Sequence, residues 1–205
     1  MACNQHWNWI IPGKLAIGDF VAGSALDNLS EHGFRGVIAV TRRLPRRFDI
    51  YASHHMAIFH IPLADSPTEN IAKWFGPTYN FIEYFLNRGY PVLVHCAAGR
   101  SRSVSIVAAY LIRKRNIPAS EALEYIQGQR PCQNVNSGFK QQLQDYRQCL
   151  LRQRHRLSKS KTRSKTRSKT RRKVAKHGVS NRRRSSRRKP SRRRSKRKSS
   201  IRNRR

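Results

Sequence analysis

Nine residues, His95-Cys96-Ala97-Ala98-Gly99-Arg100-Ser101-Arg102-Ser103, constrain this chain more than any other stretch. The run before them, Pro91-Val92-Leu93-Val94, follows Gly89 and is rich in β-branched residues, which reads as a buried strand. Beyond them Val104, Val107, Ala108 and Leu111 recur at helical spacing. Arg113-Lys114-Arg115 put positive charge where a helix C-terminus favours it. A strand, a loop of small residues and a helix N-terminus together form an anion cradle. Backbone N–H groups converge on the loop, and the helix end adds a positive potential of about half a charge. Cys96 enters that cradle and Arg102 leaves it.

A free thiol titrates near about 8.5, and convergent amides beside a guanidinium favour its thiolate. Arg102 offers a planar fork of donors that fits two phosphate oxygens. A thiolate beneath a tetrahedral dianion, with donors around its equator, is set for in-line attack on phosphorus. Acyl transfer fits less well, because nothing local supplies a base. His95 neighbours Cys96 on the strand, so its ring points to the other face and its expected role is to brace the loop. The phosphate-binding loop then comprises Ala97, Ala98, Gly99, Arg100, Ser101 and Arg102. Arg100 and Ser101 shape its rim.

The stretch His-Cys-Ala-Ala-Gly-Arg-Ser-Arg-Ser-Val-Ser-Ile resembles the signature of cysteine-dependent dual-specificity protein phosphatases, of the small atypical type. The resemblance runs over roughly residues 8 to 150, from Pro12-Gly13-Lys14-Leu15-Ala16-Ile17-Gly18 to Asn136-Ser137-Gly138-Phe139 and the residues just after. It implies Cys96 as nucleophile, Arg102 as phosphate clamp, and Ser103 as the hydroxyl that helps the thiolate leave. It also implies an acid on a loop after a strand. Asp65, in Ile61-Pro62-Leu63-Ala64-Asp65-Ser66-Pro67, matches by context, with Asp19 as runner-up and Asp49 a poor candidate. Asn136 matches a position that braces the catalytic loop, and it also reads as a helix N-cap. No metal and no cofactor are implied.

Strands and helices alternate through the first 151 residues, which predicts an α/β domain with a central mixed or parallel sheet flanked by helices. Ligands of such sheets lie beyond the carboxyl ends of the strands, where the cysteine loop falls. Trp7 to Ile11 and Leu15 to Ile17 read as an opening hairpin around Pro12-Gly13. Ser24 with Asp27 reads as a capping box, and Gly33 as the end of that helix. Val37 to Val40 and Ala57 to Ile61 read as strands. A helix bearing Ile71, Trp74, Phe75, Ile82, Phe85 and Leu86 follows. Two later helices begin near Pro118 and at Asn136, the last bearing Phe139, Leu143, Tyr146 and Leu150.

Charge divides the chain sharply. All 10 acidic residues lie before residue 152, whereas 28 of the 44 Lys and Arg lie from residue 152 onward. The expected domains are therefore residues 1–151, catalytic, and 152–205, a disordered basic tail that cannot bury enough apolar surface to order itself. Ser-Lys-Thr-Arg occurs three times from residue 160 to 171, and dense Arg clusters follow. Such a tail suits nucleic acid, DNA or RNA, bound through counterion release without sequence readout. It suits a nuclear import signal equally. Cys3, Cys96, Cys132 and Cys149 show no paired or metal-like spacing, and a working thiol favours the nucleus or cytoplasm, or a virion if the chain is viral. A Cys96–Cys132 disulfide would be one route to protect an oxidised Cys96. No apolar run is long enough for a membrane span, so no membrane partner is expected, and the chain is expected to be a monomer.

Phosphorylated proteins are the expected substrates. Short connections leave little room for a deep, phosphotyrosine-only cleft, so phosphoserine and phosphothreonine are expected too. Two rivals follow from the same residues. One is an RNA 5′-triphosphatase, although its relatives carry Arg-Thr-Gly where this chain has Arg102-Ser103-Val104. The other is a non-catalytic phospho-binding or nucleic-acid-condensing protein.

Overall fold

In the computed structural model, residues 5–44 and 46–182 are described, with side chains described up to residue 159. Strand β1 (Trp7–Ile11) turns at Gly13, whose φ is +65°, and returns as β2 (Leu15–Gly18). Helices α1 (Phe20–Ser24) and α2 (Leu26–Glu31) lead to β3 (Gly36–Val40). Helix α3 (Phe48–Ser53) precedes β4 (Ala57–Ile61), and a 3₁₀ turn at Ala72–Trp74 runs into α4 (Phe75–Leu86). Then come β5 (Val92–His95), α5 (Arg102–Arg115), α6 (Ala119–Gln129) and α7 (Ser137–Arg182).

The sheet order is β1-β2-β5-β3-β4, mixed only through the antiparallel hairpin at its edge. Strand β5 is central and parallel to both neighbours, with Val94 opposite Ile17 and Ile38. Side chains alternate across the pleat, as the period of two demands. Leu15, Ile17, Ile38, Val92 and Val94 face one cluster with α4, α5, α6 and the start of α7. Ala16, Val37 and Leu93 face a second cluster with Leu26, Leu29 and Tyr51 from α2 and α3. Helices thus cover both faces, which explains why β2, β3 and β5 are buried along their whole length. Helix α5 is enclosed from Ser103 to Ile112, and it begins one loop after the central strand.

Two local readings are corrected. Ser24 does not start a helix. Asp19, directly after β2, caps α1 by accepting the Ala22 N–H at 3.0 Å, and Ser24 becomes the last residue of that helix. The earlier carboxylate reaches an orphan N–H first, so the chain turns five residues sooner. Helix α3 was not anticipated, since its six residues are too few to show a period. Gly33, at φ +78°, does end the short helical region.

The chain divides into two units, residues 1–154 and 155–205. Phe139 and Leu143 of α7, in the first, are fully buried, and residues 151–159 are all exposed. Of the tail expected to be disordered from residue 152, the backbone up to Arg182 continues α7, and residues 183–205 lie outside the described residues. Among the described residues no helix is long and apolar enough to cross a membrane.

If only the first turns of α7 belong to the core, Leu143→Ala lowers unfolding stability by about 3 kcal/mol. Arg152→Ala changes it by less than about 0.5 kcal/mol. Urea unfolding followed by circular dichroism checks both, and comparable losses would place the boundary further along the helix.

Candidate functional site

The parallel strands point their carboxyl ends to one side, and three segments meet there: the loop after β5, the loop after β4, and the β2–α1 corner. The corner stitches itself to the cysteine loop by backbone bonds. Cys96 N–H donates to the Gly18 carbonyl at 3.3 Å, and Phe20 N–H donates to the Ala97 carbonyl at 3.0 Å.

Cys96 is 1 % exposed and its sulfur is the focus of two donors, the Gly99 N–H and the Ser103 hydroxyl, each at 3.2 Å. Gly99 can face the sulfur because its φ is +64°, a conformation side chains resist. There is also no room for one. A Cβ at Gly99 would lie 2.7 Å from the Gly18 carbonyl oxygen. Ala97, Ala98 and Arg100 are exposed around the loop, with Gly99 and Ser101 buried inside it. Arg100 is held outward by donating from Nε to the Cys132 carbonyl at 2.9 Å, and its own carbonyl accepts the Asn134 N–H.

Asp65 is brought to the same place from β4. Its Oδ1 accepts the Ser101 hydroxyl at 2.7 Å and the Asn136 amide at 2.8 Å. Its Oδ2 lies 3.4 Å from Arg102 Nε, a charge contact, while Arg102 Nη1 donates to the Leu63 carbonyl at 3.1 Å. Asn136 also caps α7, its Oδ1 accepting the Phe139 N–H at 2.9 Å, and its amide bonds Asp65 rather than the cysteine loop it was expected to brace. The Asp65 segment is clamped further by Gln142, which accepts the Ala72 N–H and donates to the Glu69 carbonyl. Gly138 lets α7 sit directly on it, since a Cβ there would fall 2.0 Å from the Pro67 carbonyl oxygen. Sequence reading missed Gly138 and Gln142 as supports, and nothing in a single sequence marks them.

Asp19, the runner-up acid, is occupied as the α1 cap and as a partner of His6 Nδ1 at 2.9 Å. Asp49 lies in the first turn of α3, paired with Arg47. Cys96 is a free thiol, so the disulfide with Cys132 is not formed; Cys132 is itself disulfide-bonded, contrary to the reading of unpaired cysteines. Among the described residues no cluster of His, Cys, Asp and Glu could hold a metal ion.

His95 points away from Cys96 and packs against α1. A Cβ on Gly23 would be 2.4 Å from its ring. Burial pushes the imidazole down to about 4, against an opposing pull from the Cys96 backbone. The ring is therefore a neutral wedge between the loop and α1.

The family model described as "Dual specificity phosphatase, catalytic domain" matches residues 16–149. Human "Serine/threonine/tyrosine-interacting protein" is 35 % identical over 142 residues, which is 67 % of this chain and 62 % of that protein. The match thus spans under two thirds of that relative's length. Human "Dual specificity protein phosphatase 22" is 34 % identical over 139 residues, 68 % of this chain and 72 % of that protein. The crystal structure of human DUSP28 superimposes with a TM-score of 0.65 at 28 % identity, covering 73 % of this chain and 98 % of that one.

A histidine depressed by burial binds its proton more readily in the unfolded chain, so its contribution to stability is complete above about pH 6.5 and is lost as pH falls toward about 4. That loss amounts to about 3 kcal/mol. The stability gap between the wild type and His95→Asn, read from urea midpoints, should therefore narrow between pH 7 and pH 4.5. A gap independent of pH would show the ring is not held neutral.

Proposed function

The chain belongs to the dual-specificity phosphatase family, and from that membership we propose that it hydrolyses phosphotyrosine, phosphoserine and phosphothreonine in proteins through a phosphocysteine intermediate. One arrangement supports the reading most. A buried sulfur receives one donor from its own loop and one from the first turn of α5, each at 3.2 Å, and a carboxylate is tethered to that same loop at 2.7 Å.

In the proposed reaction the phosphate dianion enters the loop and Arg102 turns from Asp65 and the Leu63 carbonyl onto two of its oxygens. The Cys96 sulfur attacks phosphorus in line. The bond from phosphorus to the ester oxygen breaks, and Asp65 gives that oxygen its proton. Asp65, now a carboxylate, takes a proton from water as the water oxygen attacks phosphorus. The sulfur–phosphorus bond breaks, the Ser103 hydroxyl donates to the departing thiolate, and inorganic phosphate leaves. Loop amides bear the charge that develops on the equatorial oxygens.

Some of the relatives are named as interacting proteins rather than as phosphatases, which keeps the non-catalytic rival in view. Hydrolysis of p-nitrophenyl phosphate that disappears in Cys96→Ser disposes of it. Absence of turnover in the wild type would establish it. Asp65→Asn should slow phosphoserine peptides on the order of 10²-fold, and p-nitrophenyl phosphate much less, because only the poor leaving group needs the proton. A uniform slight effect would remove Asp65 from the role. Release of γ-phosphate from triphosphate-ended RNA faster than from phosphopeptides would move the substrate to RNA ends.

For residues 152–205 the proposal is nucleic-acid binding or nuclear import, in a chain that works in the nucleus or cytoplasm. The excess of Lys and Arg with no acid supports both. A chain ending at Arg154 should keep its turnover of p-nitrophenyl phosphate. The full chain's affinity for DNA should fall on the order of 10³-fold between about 50 and 200 mM salt, and the shorter chain should lack that binding. Equal affinity of the two chains would refute the proposal.

A further inference from the structure

Among the described residues the bulkiest fully buried side chain is a cation, Arg130, at the C-terminal end of α6. Its position is unusual for a charge. Nε donates to the Gly99 carbonyl at 2.8 Å. Nη1 donates to Asn8 Oδ1 and reaches the Gln5 carbonyl at 3.5 Å. Nη2 is buried without a hydrogen-bond partner, and among the described residues no carboxylate pairs with the guanidinium. A buried, unpaired charge with an orphan donor is costly, and such a group calls for an explanation beyond packing.

The explanation lies in what it faces. Gly99 directs its N–H to the Cys96 sulfur and its carbonyl to Arg130. A Cβ on Gly99 would lie 2.5 Å from Arg130 Nη2, so the guanidinium is pressed against the loop at its glycine. Burial pulls the Arg130 guanidinium down, and Asp19 and Cys96 are the groups that attract its charge back up. Arg102 and Arg130 therefore differ in kind. Arg102 is bound to partners it can exchange, whereas Arg130 is 0 % exposed and fixed by its fork.

We propose that Arg130 is a positioning residue for the phosphate loop, holding Gly99 in place and stabilising the anionic sulfur and the bound phosphate by its charge, acting through the loop. This rests on the reading of the loop as a phosphate cradle. The charge has a use only when an anion occupies the other side of the Gly99 peptide. A neutral side chain could brace the glycine equally well, without the cost of burying a cation.

The test uses the full chain and two readouts that a mere brace would not separate from stability. One is the rate at which neutral iodoacetamide alkylates Cys96 at pH 6, read by mass spectrometry of the Cys96 peptide. The other is the concentration of inorganic phosphate that protects it. Arg130→Met should alkylate about tenfold more slowly and need about tenfold more phosphate, the effect of roughly one pK unit. Arg130→Lys keeps the charge but loses the fork, so it should melt lower than the wild type yet stay within about threefold on both readouts. Lys and Met equally impaired, or both unimpaired, would overturn the electrostatic part. Should Arg130→Met fail to fold, Asn8 decides. Asn8→Asp keeps an acceptor on Nη1 and neutralises the cation, whereas Asn8→Ser removes the acceptor without adding charge. The Asp variant should need more phosphate than the Ser variant, and the reverse order would reduce Arg130 to a brace. Wild-type alkylation indifferent to phosphate would overturn the cradle itself, and Arg130's part with it.

Discussion

Two donors on one buried sulfur set the terms for the rest of the domain. The Gly99 N–H can reach Cys96 only because Gly99 adopts a positive φ, and that conformation leaves the Gly99 carbonyl pointing the other way. Something must satisfy a buried carbonyl, and Arg130 does so from the end of α6. The β2–α1 corner must also stay out of the glycine's way while pairing with Cys96 and Ala97, which keeps β2 in register with β5. Sheet, corner and α6 are thus all answerable to the shape of one loop.

The carboxylate is fixed by a separate set of supports. Asn136, Gly138 and Gln142 all belong to α7 or its cap, and all three act on the segment from Asp65 to Ala72. Ser101 ties the same carboxylate to the cysteine loop. The first turns of α7 therefore do two jobs with one set of residues. They close the core through Phe139 and Leu143, and they hold the Asp65 segment beside the cysteine loop.

The cysteine loop, its flanking strand and its helix were legible because each carries a local signal. The apolar run, the small residues and the helical period sit within about twenty positions of one another. The strands of the sheet were legible for the same reason. What was not legible depends on distant encounters. Asp19 rather than Ser24 starts a helix because it follows β2 directly, and α3 is too short to have a period. Arg130, read along the chain, is only a charge before a proline; its burial depends on meeting Asn8, more than a hundred residues earlier. Gly138 looks like any helix glycine until Pro67 lies over it.

In the resting site Arg102 already has a carboxylate partner, since its Nε lies 3.4 Å from Asp65 Oδ2. A phosphate dianion competes for the same guanidinium with two oxygens in a matching plane, and the bidentate contact is the stronger one. Under the proposed mechanism, Arg102 turning to the phosphate leaves Asp65 without its cation and with only the Ser101 and Asn136 donors on Oδ1. Oδ2 would then be the oxygen free to take a proton from solvent and, in the proposed reaction, pass it to the leaving group. In the proposed reaction, binding the substrate and freeing Asp65 are thus one exchange of partners, and a site with a weaker clamp than arginine would lose both together.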